Sequence, residues 1–328
     1  MMSKKRKDDH IKFARKQKEL ENDFTKVRLI HHSVPSISVD DINLETSYFN
    51  RSFSYPFYIN AMTGGNDEGN NINYRLATIA SKYNIPFFVG SQSLAFKEKG
   101  VKEQYIALRK AFPHLFIVSN INPNFTLMMA KEAIDMLGAN ALAIHVNSIQ
   151  EIVMKEGDRD FSKWLINIET IVKGVNVPVI IKEVGYGMHK VTLDALYKIG
   201  VKYIDISGTG GTNFTIIESE RNKVKDSAFK DFGISTVESL MLAEDLKDVT
   251  IFASGGVRNG VNVVKSLCLG AKAVGMARFF LDIAYLEENE GYHKIDTLID
   301  EIKKTMVLLN VKTPSELTTK FIFKSPLV

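Results

Sequence analysis

Thr250-Ile251-Phe252-Ala253, the loop Ser254-Gly255-Gly256-Val257-Arg258, the stretch Val261–Leu269, and then Ala273-Val274-Gly275-Met276 with Ala277-Arg278 decide the fold of this chain. The first run is short and nearly all apolar, without strict alternation. That is the pattern of a strand buried on both faces of a parallel sheet. A helix-length amphipathic segment follows, and then a second run of the same kind. The unit recurs upstream at Phe57–Ala61, Pro86–Gly90, Leu115–Ser119, Ala141–Val146, Pro178–Lys182 and Tyr203–Ile206, which makes eight runs in all. Helical patterns such as Tyr74–Lys82 and Thr126–Leu137 lie between them. Alternation of β and α implies right-handed crossovers and a parallel sheet. Eight units favour a closed α/β (β/α)8, or TIM, barrel over an open doubly wound sheet. Neither G-x-G-x-x-G nor G-x-x-x-x-G-K-[ST] occurs, which removes two phosphate loops typical of open sheets.

Composition agrees with one large domain. The chain has 328 residues, 45% of them apolar and 24% charged, enough for a sizeable core. The net charge of +4 is too small to imply a nucleic-acid partner by itself. The single cysteine, Cys268, excludes a disulfide scaffold and a cysteine-rich metal site. It sits on an apolar helical stretch and reads as a packing residue. No run of about 18 apolar residues marks a membrane span. Charged Ile11–Glu21 follows the basic start, where a signal peptide needs an apolar core. The expectation is a reduced, cytoplasmic protein. The first 25 residues read as a mobile or late-ordering helix. Their Lys4-Lys5-Arg6-Lys7 run fits a solvated tail, a nuclear signal or an anion site. Phe279–Leu309 reads as mostly helical, and Pro314 opens a polar tail.

In a barrel of this kind the chemistry sits at the C-terminal strand ends and the loops beyond them. The residues there are Met62-Thr63-Gly64-Gly65, Ser91, Asn120, His145 with Asn147, Lys182-Glu183, Ser207 to Thr212, Ser254 to Arg258, and Ala277-Arg278. One polar residue after a strand is usually a helix cap. Small, hydrogen-bonding or cationic residues at all eight ends exceed what capping explains. Glycine permits close approach of backbone N–H groups to an anion. Loops after strands seven and eight are the usual phosphate site of this fold. Gly255-Gly256-Val257-Arg258 and Ala277-Arg278 therefore read as a phosphate grip, with Ser207 and Thr212 as further donors; the alternative is tight-turn glycines beside surface arginines.

Lys182 ends an apolar strand and should point into the barrel mouth. A lysine there needs an anion or an electron-rich ligand. A Schiff-base lysine and a surface lysine are the other readings. Glu151 is the one carboxylate of His145–Glu151 and fits a hard cation such as Mg²⁺, or a helix cap. There is no H-E-x-x-H and no G-x-S-x-G, and the remaining histidines lack metal-ligand spacing.

Taken together, Arg6-Lys7-Asp8-Asp9-His10-Ile11, Ala61-Met62-Thr63-Gly64-Gly65, His145-Val146-Asn147 with Gln150-Glu151, Glu156-Gly157-Asp158, Ser207 to Thr212 and Ser254 to Gly260 resemble type 2 isopentenyl-diphosphate isomerase. Order and spacing agree from about residue 5 to residue 310. The glycine motifs are shared by many flavin barrels; the N-terminal motif and the Asn-x-x-Gln-Glu segment are the specific ones. The resemblance implies an N-terminal extension (1–54) that contributes to the substrate site, and an FMN-binding barrel (55–328). It implies FMN contacts from Ala61, Met62, Thr63, Ser91, Asn120, Lys182, Ser207, Thr212, Gly256, Val257, Arg258, Ala277 and Arg278. Arg6, Lys7, His10, His145 and Asn147 would hold a substrate diphosphate, Gln150 would lie beside the isoprene unit, and Glu151 would bind Mg²⁺. Gln150 and Lys182 would be the catalytic pair around a reduced flavin, primed by NADPH. The partners implied are isopentenyl and dimethylallyl diphosphate and further copies of the chain, with no nucleic acid and no membrane. Two departures stand out. Lys155 replaces a usual proline, and Ser119-Asn120-Ile121-Asn122-Pro123 departs from the usual pattern, so that Asn122 competes with Asn120 as the flavin contact.

Overall fold

The computed structural model describes residues 2–223 and 227–324, with side chains from residue 6 to 323. Eight parallel strands close into a barrel: β1 (Phe57–Ile59), β2 (Phe87–Phe88), β3 (Ile117–Ile121), β4 (Ala141–His145), β5 (Val179–Lys182), β6 (Tyr203–Asp205), β7 (Thr250–Ser254) and β8 (Ala273–Met276). Each pairs with its neighbour in sequence, and β8 returns to β1. Helices follow the strands, among them Asp67–Tyr83, Leu127–Leu137 and Gly260–Cys268. The eight apolar runs are thus the eight strands. Strand three is displaced toward the C-terminus of its expected span, Leu115–Ser119. Leu115 and Phe116 serve as lead-in from the Pro113-His114 turn, and the polar Ser119 and Asn120 lie within the strand, fully covered.

Period-two alternation divides each strand between two cores. Phe57, Ile59, Phe87, Ile117, Leu142, Ile144, Ile181, Ile204 and Ile251 join the large core shared with the helices. Tyr58, Phe88, Val118, Ala143, Ile180 and Phe252 point into the barrel. The lower end of that interior is closed by the hairpin Thr46–Tyr48/Arg51–Phe53. Its turn residues Phe49 and Asn50 both have positive φ, at 53° and 55°. That conformation is costly for a phenylalanine. Burial offsets the cost: the Phe49 ring lies 4.6 Å from Tyr203, 5.5 Å from Phe116 and 5.6 Å from Phe252. With this end plugged, the opposite end is the one open to ligand.

The segment ahead of β1 therefore does three separate jobs. Met2–Lys16 is a helix over the open end, Val27–Leu29 forms a strand, and residues 46–53 plug the base. The expected polar tail is more structured than its composition implies. Pro314–Glu316 and Thr319–Phe321 are 3-10 turns, and Ile322–Lys324 pairs antiparallel with Val27–Leu29. Apolar Ile322 and Leu29 face each other across that pair, which ties the tail to the N-terminal segment.

The plug should matter for stability and not for ligand. Phe49→Ala is expected to cost about 3 kcal/mol, the usual range for an emptied aromatic site. Thermal and denaturant unfolding would check this, with ligand affinity at the open end expected to stay within about twofold of the parent because the plug lies at the far end of the barrel.

Candidate active site

The strand ends and the N-terminal helix enclose a cavity of about 430 Å³, a size usual for cofactor and small-molecule sites. Arg6, Lys7 and His10 line it from the helix. Ala61, Met62, Thr63, Ser91, Asn120, His145, Asn147, Gln150, Glu151, Lys182, Ser207, Thr212, Gly256, Val257, Arg258, Ala277 and Arg278 line it from the barrel. Asn122 lines it too. Lys4 and Lys5 of the basic run have side chains outside the described residues.

Register places three ionisable residues side by side. His145 is opposite Lys182, and Lys182 is opposite Asp205. Lys182 is buried, with Nζ 3.6 Å from Asp205 Oδ2 and donating to the Glu183 carbonyl at 2.7 Å. His145 Nδ1 meets Asn120 Oδ1 at 2.8 Å, and Asn120 Nδ2 donates to the Val89 carbonyl at 3.1 Å. That orients the Asn120 amide and makes Nδ1 the donor. Burial, reinforced by the Lys182 and Lys7 charges, lowers the His145 pKa to about 3. Asn120 thus steadies a histidine. Glu183 accepts from the backbone N–H groups of Val184, Gly185 and Tyr186 at 2.6, 2.8 and 2.7 Å. Burial outweighs those three bonds and lifts its carboxyl to about 7.

On the next side, Asn147 Nδ2 donates to Gln150 Oε1 at 3.2 Å and to Glu151 Oε1 at 2.9 Å. Glu151 Oε2 accepts from the Asp158 N–H at 2.9 Å. Both oxygens are thus steered, yet a carboxylate retains further lone pairs for a cation. Among the described residues no three His, Cys, Asp or Glu side chains cluster as a metal site. A cation held through Glu151 would need oxygens from a ligand to complete its shell, as Mg²⁺ at phosphates does.

The helix Met2–Lys16 is clamped along its middle and at its C-terminal end. Lys7 Nζ donates to the Gly64 carbonyl and, at 3.1 Å, to that of Ser91. Burial, with Arg6 alongside, lowers the Lys7 pKa to about 8. His10 Nε2 lies 2.7 Å from Glu218 Oε1. Arg221 pairs with that same Glu218 and, at 3.0 Å, with Glu156. At the C-terminal end, Arg278 donates to the Ala14 carbonyl and, at 2.6 Å, to that of Arg15, while its Nε holds Asp282. Arg258 donates to the carbonyls of Leu20 and, at 3.2 Å, Gly210, and pairs with Glu19 at 3.3 Å. The two arginines expected to grip a phosphate line the cavity and also hold the N-terminal segment in place at its rim. The glycine loops beside them meet backbone to backbone. Gly255 has φ +93°, and a Cβ there would lie 2.0 Å from the Gly208 carbonyl oxygen. Only glycine lets those two loops meet.

Three buried atoms report on a ligand. Gln17 Nε2, Thr63 Oγ1 and Asn147 Oδ1 have no hydrogen-bond partner among the described residues, and all three residues line the cavity. Buried polar groups are seldom left so. A cofactor rich in hydrogen-bonding edges, with a phosphate toward the glycine loops, fits this lining. Asp205, Glu218 and Arg221 escaped the sequence reading. Asp205 had left a signal, a lone charge inside the apolar run Tyr203–Ile206.

Comparison with known proteins agrees. Residues 115–324 match the FMN-dependent dehydrogenase family. An isopentenyl-diphosphate delta-isomerase of Staphylococcus epidermidis is 45% identical over 98% of this chain and 93% of its own length. One from Staphylococcus aureus is 44% identical over the same shares. Among solved structures, a flavocytochrome b2 superposes with a TM-score of 0.68 over 96% of this chain and 82% of its own, at 22% identity, which speaks to fold alone. A full-length likeness at that identity, on an FMN-type barrel, makes this chain a member of the FMN-dependent isopentenyl-diphosphate delta-isomerase family.

Proposed function

We propose that the chain interconverts isopentenyl and dimethylallyl diphosphate by a 1,3-proton transfer on bound reduced FMN, with Mg²⁺ at the diphosphate and NADPH as the priming reductant. One observation carries the reading. A single cavity holds a cationic wall (Arg6, Lys7), a steered carboxylate (Glu151) and the flavin-type glycine loops, yet among the described residues it offers no strong carbon acid–base pair. His145 is a weak base, Gln150 is an amide, and the Glu183 carboxyl is tied to three N–H groups. A reduced flavin supplies proton-carrying chemistry at its N5 edge when bound.

The chain's own residues bind and orient. Lys7 and Arg6 face the diphosphate, Asn147 and His145 add contacts, and Glu151 holds the cation that neutralises it. Thr63 and Ser207 take flavin edges, and the loop around Gly256 takes the flavin phosphate. Gln150 fixes the isoprene unit beside the flavin, and Lys182 faces the flavin's electron-rich side. The helix Met2–Lys16 covers the mouth and keeps water from the reacting carbons. A 2-hydroxy-acid oxidation, the chemistry of other FMN barrels, would need a His–Arg pair near β7, and Ser254–Arg258 contains no histidine. The reading includes a cytoplasmic homo-oligomer. Among the described residues no helix is long and apolar enough to cross a membrane.

Anaerobic incubation with FMN, Mg²⁺, NADPH and isopentenyl diphosphate should yield dimethylallyl diphosphate by NMR, and none when FMN or reductant is omitted. No product from a protein with bound, reduced flavin would overturn the reading. Glu151→Gln should raise KM at least about tenfold and leave FMN affinity alone; parallel loss of both would mark Glu151 as structural. Lys7 is cationic below about 8 and loses its proton above it. KM for the diphosphate should therefore rise as pH passes about 8, and Lys7→Arg, which keeps its charge, should move that rise to higher pH.

A further inference from the structure

We propose that Asp205 is a positioning residue for the flavin: it fixes Lys182 as a counter-charged cation with one N–H turned to the cavity. The inference rests on the reading of Lys182 as a flavin contact. Asp205 is fully buried at the end of β6, where barrels usually place Val, Ile or Leu. Tyr58 donates to Oδ2 at 2.9 Å and Asn60 at 3.3 Å. Ser254 donates to Oδ1 at 2.7 Å, and the Ser207 N–H at 3.3 Å. Donors from β1, β7 and the β6 loop thus converge on one carboxylate. Lys182, its register partner on β5, stands 3.6 Å away as the paired cation.

Those donors immobilise Asp205, and Asp205 in turn limits where Lys182 can sit. The ammonium has three N–H groups. One goes to the Glu183 carbonyl and one faces Asp205. The third is left toward the cavity that Lys182 lines. A cation alone at this depth would be costly. With Asp205 beneath it the pair is neutral, so its effect on a flavin comes from the direction of the N–H and the balance of the two charges. Removing the anion leaves the lysine charge uncompensated next to a group that gains electrons on reduction.

The test is a double-mutant cycle on FMN-loaded protein, read as the ratio of reduced- to oxidised-FMN affinity from the flavin midpoint potential. Asp205→Asn should raise that ratio about tenfold while Lys182 is present. In the Lys182→Gln background the same change should alter it less than about twofold, since a buried carboxylate without its paired cation is held neutral and its replacement then removes no charge. Equal shifts in both backgrounds, or none in either, would overturn the inference and leave the flavin reading intact. A parent that binds no FMN would overturn the flavin reading and the inference with it. Should Asp205→Asn not fold, Asp205→Ser enters the same cycle. Folding of either variant only when Lys182 is also Gln would support the pairing; failure in both backgrounds would make Asp205 structural.

Discussion

Side chains of a strand alternate between two directions, and in a closed parallel barrel both directions are buried. Outside lie the helices; inside is a space that the strands must fill with their own residues. In this chain Phe57, Ile59, Ile117 and Ile181 serve the outside, and Tyr58, Val118, Ile180 and Phe252 the inside. The interior is filled from below by the 46–53 hairpin and its ring of aromatics. At the upper end the inward residues change character. Lys182, Asp205, Ser254 and Asn120 take over, and each is covered by partners it finds on other strands. The cavity exists because that upper layer is polar and held by hydrogen bonds, and so is not collapsed by apolar packing.

The roof of the cavity comes from elsewhere in sequence. Met2–Lys16 has a polar, strongly charged composition and few apolar residues with which to hold itself down. Ile11 is the exception, buried in the main core. Among the described residues, most of the other attachments are polar or charged, with an edge-on ring contact between His10 and Phe214 beside them. Arg258 and Arg278 hold carbonyls near the end of the helix and just beyond it, where the helix dipole is negative. Glu218 and Arg221 hold its middle through His10 and Asp9. Such attachments come from the loops beyond β7 and β8 and from the helix Phe214–Asn222 at once. Roof and floor are therefore mechanically joined around the cavity.

Charge within the cavity is arranged by depth. Lys7 lies at the roof, donating to carbonyls, and burial lowers its pKa. Lys182 lies at the floor with Asp205 beside it. His145, between two cations, stays neutral. A polyanionic ligand entering from the roof side meets positive charge first and a neutral interior below it. A neutral ring system lies more easily over the floor than over the roof.

The eight strands, their order and the residues at their ends were legible in the sequence, because a strand buried on both faces leaves a short apolar run and the residue that ends it is found by counting. The N-terminal motif pointed to the site through the family resemblance alone; by its own composition the basic run fitted a solvated tail, a nuclear signal or an anion site equally. Other features could not be read that way. Asp205 lies inside an apolar run, and its meaning depends on Tyr58, Asn60, Lys182 and Ser254, which come from distant strands. That Arg258 and Arg278 also hold the carbonyls of Leu20 and Ala14 emerges only when the chain folds and brings those residues to them. The base plug, the pairing of Val27–Leu29 with Ile322–Lys324 and the clamp on the N-terminal helix all join segments far apart in sequence. Periodicity and composition are local properties and record which surfaces must be buried. Which charged group meets which partner is set by register and barrel closure, and these exist only once the strands are in place.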